Sequence, residues 1–156
     1  MKLNFTLNHQ PQSLEISATM SVLELLRERL NLSACKEGCG EGECGACSIL
    51  VNDKLVNSCL LASAQLEGAE VMTLEGLRET DKGRCLIEAL LEAKGVQCGF
   101  CSPGMVLALY ALLNENRYPT DDQIREALSG NLCRCTGYGM IIDAAHIALK
   151  RGKGLW

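Results

Sequence analysis

The sequence predicts an α+β fold in two successive halves, a small mixed sheet with one helix followed by a small helical bundle. Three observations predict it. Before residue 74, apolar and polar residues alternate at the period of two that half-buried strands require. Beyond residue 83, apolar residues recur at helical spacing in segments with readable starts and stops. Between them lies RETDKG, residues 78–83, which is charged and lacks apolar periodicity, making it the best linker candidate. The expected domains are therefore residues 1–77 and 78–156.

In chain order, Leu3, Phe5 and Leu7 share one face of a strand over residues 2–8, and after the turn-like HQPQ stretch Leu14 and Ile16 alternate again, which makes a hairpin. Ser21 followed by Glu24 is a capping-box pattern, and Leu23, Leu26 and Leu30 then predict a short helix from Val22 to Leu30. The stretch CKEGCGEGECGAC, residues 35–47, holds Gly38, Gly40, Gly42 and Gly45, a density that no helix or strand interior tolerates. It reads as a loop built around something. SILVNDKLVNSC, residues 48–59, reads as two strands around an Asn52–Asp53 turn, and AEVMTL supplies a last strand near Val71 and Thr73.

Four helices follow. Leu86, Leu90 and Leu91 mark one that ends at Gly95, and Ser102–Pro103 opens another, by N-cap and first-turn proline, carrying Val106, Leu109, Tyr110 and Leu113. Thr120 with Gln123 is a second capping box, opening a helix through Leu128 that Gly130 stops. The last helix covers Tyr138 to Lys150, with Ile141, Ala145 and Ala148 inward. Four short helices in this span fit a small bundle.

Composition narrows the function. A net charge of −4 and an aromatic content of only 4% argue against a nucleic-acid partner, which needs a basic face or a stacking platform. The longest apolar run, Met105 to Leu113, is far too short to span a bilayer. MKLNFTLNHQ alternates like a strand and has no apolar signal-peptide core, so a cytoplasmic location is expected. In that reducing compartment a chain with ten cysteines is more often a metal binder than a disulfide scaffold.

The cysteines divide as the fold does. Cys39, Cys44, Cys47 and Cys59 have the spacing C-x4-C-x2-C-x11-C, whose opening matches the plant-type [2Fe–2S] ferredoxin pattern. The glycines suit that use, because backbone N–H groups turned inward stabilise a negatively charged cluster. A structural zinc knuckle is the plainer alternative. Cys98, Cys101, Cys133 and Cys135 have the spacing C-x2-C-x31-C-x-C, which by itself suits either zinc or an iron–sulfur cluster.

With these strings in view, KEGCGEGECGACSILVNDKLVNSCL at 36–60, QCGFCSPGM at 97–105 and GNLCRCTGY at 130–138, the chain resembles the small iron–sulfur subunit of the molybdenum hydroxylase family, which includes xanthine dehydrogenase and aldehyde oxidoreductase. The resemblance covers nearly the whole chain. It implies a plant-type ferredoxin (β-grasp) domain followed by a four-helix-bundle domain, each with one [2Fe–2S] cluster. It also implies a large partner subunit carrying a molybdenum–pterin cofactor and a medium partner carrying FAD, in a heterotrimer or a dimer of heterotrimers. Carried over, Cys39, Cys44, Cys47 and Cys59 bind the cluster facing the flavin, and Cys98, Cys101, Cys133 and Cys135 bind the one nearest molybdenum. Gln97 contacts the molybdenum cofactor, and Cys135 lies beside the pterin where electrons enter. The implied function is one-electron relay from molybdenum through two clusters to FAD or another acceptor, during oxidation of xanthine, a related N-heterocycle or an aldehyde. A relay of single-electron carriers suits that chemistry because substrate hydroxylation releases two electrons.

Cys35 and Cys85 match no ligand position and read as small buried thiols. Ser102 stands where the family usually has threonine, and a serine also caps a helix. Arg134 has two candidate tasks, offsetting cluster charge or pairing with a partner. Glu41 and Glu43 read as a solvated or partner-facing edge, and His9 and His146 as bystanders to both tetrads. The competing functions are a free-standing two-cluster electron carrier and a zinc-stabilised interaction module.

Overall fold

The computed structural model describes residues 1–156. Strands β1 (Lys2–Leu7) and β2 (Gln10–Glu15) pair antiparallel with Leu3 opposite Leu14. Their turn is Asn8–His9, with φ of 50° and 65°, and not the HQPQ stretch expected from sequence. The two left-handed residues match the twist of the strands, whereas Pro11 sits inside β2, tolerated because β2 is an edge strand. Helix α1 (Val22–Glu24) opens with Ser21 Oγ accepting from Glu24 N at 3.1 Å. It then widens into π-helical turns over Leu25–Arg29, with Leu30 N donating to Leu25 O at 3.1 Å. That wider turn corrects the expected regular helix, since it buries Leu25 beside Leu26 and leaves Leu30 only half-buried.

Strands β3 (Ser48–Val51) and β4 (Lys54–Asn57) form the second hairpin around Asn52–Asp53, with φ of 48° and 64°. Strand β5 (Glu70–Met72) fits between the two hairpins, parallel to β1 and antiparallel to β3, giving the order β2-β1-β5-β3-β4. Leu3, Phe5, Ile49 and Val71 of this mixed sheet bury one face against Val22, Leu23, Leu25 and Leu26.

Residues 78–83 depart from the expected linker. A short helix, α2 (Leu74–Leu77), follows the sheet, and Thr80 caps helix α3 (Asp81–Glu92), its hydroxyl accepting from Gly83 N at 3.0 Å. The charged stretch is therefore mostly a helix start, where acidic residues complement the exposed N–H groups. Helices α4 (Ser102–Glu115), α5 (Asp121–Ala127) and α6 (Gly139–Arg151) complete the chain. Thr120 and Gln123 make the reciprocal capping box that the sequence announces.

Helix α4 is the central one. Every residue from Pro103 to Leu109 is buried, as expected of a helix apolar on all sides. It packs on α3 and α6 and also on β3, whose Leu50 belongs to the helical core while Ile49 belongs to the sheet core. Adjacent residues of one strand thus anchor the two halves to each other.

Candidate metal centres

The cysteine loops lie where the two halves meet. Residues 35–47 run between α1 and β3 without regular structure, and Gly40, Gly42 and Gly45 take φ of 72°, 79° and 68°. These left-handed turns aim backbone N–H groups inward, and those of Glu41 and Glu43 donate to Cys39 Sγ at 3.4 and 3.3 Å. The backbone N–H of Glu41 above all, with those of Cys44 and Glu43, draws the Cys39 thiol down to about 7. The contribution of Glu41 and Glu43 is made by their amides; their carboxylates remain outside the site.

The thiols of this loop form pairs. Cys44 lies beside the Cys39 thiol, and Cys47 beside that of Cys59. Burial, with the adjoining Cys47 thiol second, pushes Cys59 up to about 11. Behind this pair Ser58 Oγ donates to Cys47 O at 2.8 Å, and Cys35 Sγ donates to the same carbonyl at 3.2 Å. Asn57 Nδ2 holds Gly42 O at 2.7 Å, tying the glycine loop to the end of β4.

The second tetrad repeats the pairing. Cys98 and Cys101 immediately precede α4, and Cys133 and Cys135 follow α5. Cys135 Sγ lies 3.8 Å from Cys98 Sγ, and Cys133 lies beside the Cys101 thiol. Burial, then the hydrogen bond to Cys133, pushes Cys101 up to about 12. Cys133 goes the other way: burial opposes its ionisation, but the hydroxyl and N–H of Thr136 and the N–H of Cys135 outweigh burial and lower it. Cys135 is raised, chiefly by its hydrogen bond to Cys98. The expected N-cap at Ser102 is corrected, because Cys101 O accepts Met105 N at 3.0 Å and the helix starts one residue earlier. Ser102 Oγ is buried inside the first turn without a partner.

A polar joint connects the two cysteine loops. Leu132 N donates to Cys44 O at 2.9 Å. Asn131, only 3% exposed, donates through Nδ2 to Gly45 O at 3.0 Å and Ser48 Oγ at 3.1 Å. Tyr138 closes the second loop on itself, its hydroxyl donating to Asn131 O at 2.9 Å and accepting from Cys133 N at 3.0 Å. Asn131, Thr136 and Tyr138 are the residues that sequence reasoning passed over. Their signal was polar side chains immediately around a C-x-C, where only the thiols and Arg134 drew attention.

Gln97 is exposed next to Cys98, and Arg134 is exposed between Cys133 and Cys135. Phe100 and Leu132, 46% and 57% exposed, frame the second tetrad, and Leu60, 63% exposed, stands beside the first. Cys35 is buried and pushed up to about 11 by that burial, and Cys85 is buried under α6 with its thiol on Ala148 O. Neither joins a tetrad pair. His146 Nε2 pairs with Asp121 Oδ1 at 2.7 Å, away from both tetrads. Tyr110 is a packing residue, edge-on to Trp156.

The chemistry of the donor set follows from the pairing. A single tetrahedral ion draws four sulfurs to one centre, whereas a two-iron cluster takes two thiolates on each iron and leaves them as pairs. Inward amides at Cys39 further suit a negatively charged cluster.

Two family models match consecutive parts of the chain: a 2Fe-2S iron-sulfur cluster binding domain over residues 5–75 and a [2Fe-2S] binding domain over residues 73–146. The chain is 45% identical over 149 residues to the nicotinate dehydrogenase small FeS subunit of Eubacterium barkeri, covering 96% of this chain and 95% of that one. It is 44% identical over 140 residues to the xanthine dehydrogenase iron-sulfur-binding subunit of Escherichia coli O157:H7, covering 88% and 87%. Among solved structures, quinoline 2-oxidoreductase from Pseudomonas putida 86 superposes with a TM-score of 0.90 at 39% identity, covering 98% of both chains.

Proposed function

Because the chain belongs to the family of small iron–sulfur subunits of the molybdenum hydroxylases, we propose that Cys39, Cys44, Cys47 and Cys59 hold one [2Fe–2S] cluster and Cys98, Cys101, Cys133 and Cys135 the other. The chain is an electron-transfer subunit, and the gathering of its thiols in two loops, with inward amides on Cys39 and a Cys135–Cys98 sulfur contact, is the observation that carries the ligand assignment. When bound, the clusters supply one-electron redox chemistry, which lets a two-electron oxidation be drained in steps. The chain's own residues hold the thiolates, donate amides to them and join the two loops through Asn131 and Leu132.

In this reading residues 1–77 are a plant-type ferredoxin (β-grasp) domain and residues 78–156 a four-helix domain. The sheet at 2–72, the four helices from Asp81 to Arg151 and the two family matches support it. A large subunit with a molybdenum–pterin cofactor docks at the second tetrad, where Gln97, Cys98, Phe100, Leu132 and Cys135 are exposed together. Gln97 contacts that cofactor and Cys135 receives its electrons. A medium FAD subunit docks at the first tetrad, completing a heterotrimer or a dimer of such trimers. Among the relatives whose own length this chain spans, the names nicotinate, xanthine and quinoline favour an N-heterocyclic substrate over an aldehyde. A cytoplasmic location fits this assembly, and no helix is long and apolar enough to cross a membrane.

Iron and acid-labile sulfide analysis of the purified complex tests the assignment. Two [2Fe–2S] sites require four irons and four sulfides per chain. A colourless chain with two zincs overturns the cluster reading, and a chain that never co-purifies with a molybdenum subunit makes it a free carrier.

A further inference from the structure

We propose that the Thr136 hydroxyl tunes the second cluster, donating a hydrogen bond to Cys133 Sγ that raises the cluster's reduction potential above the value its thiolates alone would set. The inference rests on the ligand assignment above and adds a positioning residue to it. Thr136 Oγ1 lies 3.1 Å from Cys133 Sγ. A threonine hydroxyl has a single proton, and what occupies its lone pairs decides where that proton points. Here Tyr138 N donates to Thr136 Oγ1 at 3.3 Å, leaving the proton free for the sulfur. Tyr138 is itself fixed: its φ is 70°, and its hydroxyl bridges Asn131 O and Cys133 N. The donor is thus oriented before any electron arrives.

No other proposed ligand sulfur has a hydroxyl donor. Cys39 accepts backbone amides and Cys135 meets the Cys98 thiol, while the Ser58 hydroxyl serves Cys35 and the Cys47 carbonyl. A hydrogen bond to a ligand sulfur favours the more negative, reduced state, and such bonds are one of the levers that set cluster potentials. The step is one electron, taken from substrate oxidation in the partner subunit, which converts a two-ferric cluster to one ferric and one ferrous iron. The tuning acts on Cys133, the ligand whose neighbour Leu132 is hydrogen-bonded to Cys44 of the first tetrad.

The test is Thr136→Val, which removes the hydroxyl but keeps the branched shape, with Thr136→Ser as the rescue, in the whole enzyme complex. EPR-monitored redox titration should show a lower potential for the second cluster in Thr136→Val and no change for the first. The expected change is about tenfold in how a single electron partitions between the two clusters, or about 59 mV. Thr136→Ser should return the partition to that of the unaltered complex. Equal behaviour of the valine and serine variants, or a partition unchanged by valine, overturns the tuning. Should the valine variant lose the second cluster, pulsed EPR of the unaltered reduced complex decides instead. A proton coupled to the second cluster that exchanges rapidly in D2O supports the bond, and its absence overturns it. Cys133→Ala separates the two levels: retention of all iron and both spectra overturns the ligand assignment itself, whereas loss of the second cluster alone supports it.

Discussion

Gly104→Ala sets two effects against each other at the joint between the halves. Within a helix, alanine is favoured over glycine by about 1 kcal/mol, so on propensity alone the substitution stabilises α4. The new Cβ, however, would stand 2.4 Å from Gly45 O and 2.9 Å from Asn131 Nδ2. Ordinary contact begins at 3.4 Å, so the carbonyl must retreat by about 1 Å. That carbonyl accepts three donors, Ser48 Oγ at 2.7 Å, Asn131 Nδ2 at 3.0 Å and Ser48 N at 3.1 Å. Overpacking of this kind costs about 1–3 kcal/mol, and a lost hydrogen bond adds roughly 1 kcal/mol. The net expectation is destabilisation by about 2 kcal/mol, opposite in sign to helix propensity. Denaturant unfolding followed by circular dichroism and visible absorbance reads it, with Gly139→Ala as the control because no atom lies near that position's Cβ. A Gly104→Ala protein as stable as the unaltered one, with both spectra unchanged, would show that the joint yields freely and that the loops are not locked together.

Asn131→Ala removes two buried hydrogen bonds, to Gly45 O and Ser48 Oγ, and should lower the same unfolding midpoint by an amount equivalent to about 2 kcal/mol. Cys135→Ala should abolish turnover with the natural acceptor while the first cluster keeps its absorption and EPR signature, and loss of both signatures together would show that the two sites assemble as one unit. Burial raises the Cys85 thiol above its ordinary value of 9.0. The folded state therefore favours the protonated form, so Cys85's contribution is complete below pH 9.0 and is lost as pH rises through the elevated folded value. The stability difference between the unaltered protein and Cys85→Ala, measured by urea unfolding, should accordingly be flat below that pH and shrink above it.

The sequence disclosed the features whose causes are local. Alternation placed β1 and β3, the Asn52–Asp53 turn was readable from residue type, and Thr120 with Gln123 marked the start of α5. Cysteine spacing divided the thiols into two groups of four, one in each half of the chain. Where two local signals competed, the reading slipped. Pro11 drew the first turn away from Asn8–His9, and charge in residues 78–83 concealed the cap at Thr80. Leu23, Leu26 and Leu30 fit a regular helix equally well, so the π-helical widening had no signature. The joint lay beyond reach for another reason: Asn131 and Gly45 are 86 residues apart, and no periodicity connects them. Thr136 shows the same limit at short range, because its role depends on where Tyr138 N points.

The hydrogen bond from Leu132 to Cys44 also bears on how the complex tolerates motion. Subunits of an assembly breathe against one another, and electron tunnelling slackens steeply as the gap between carriers grows. Here the span between the two proposed cluster sites is fixed by a bond inside one chain, reinforced by Asn131. In the proposed relay the middle hop then keeps its length however the flanking subunits shift, and the variable gaps are left to the outer steps at the two proposed docking faces. This small subunit works as a ruler as much as a wire.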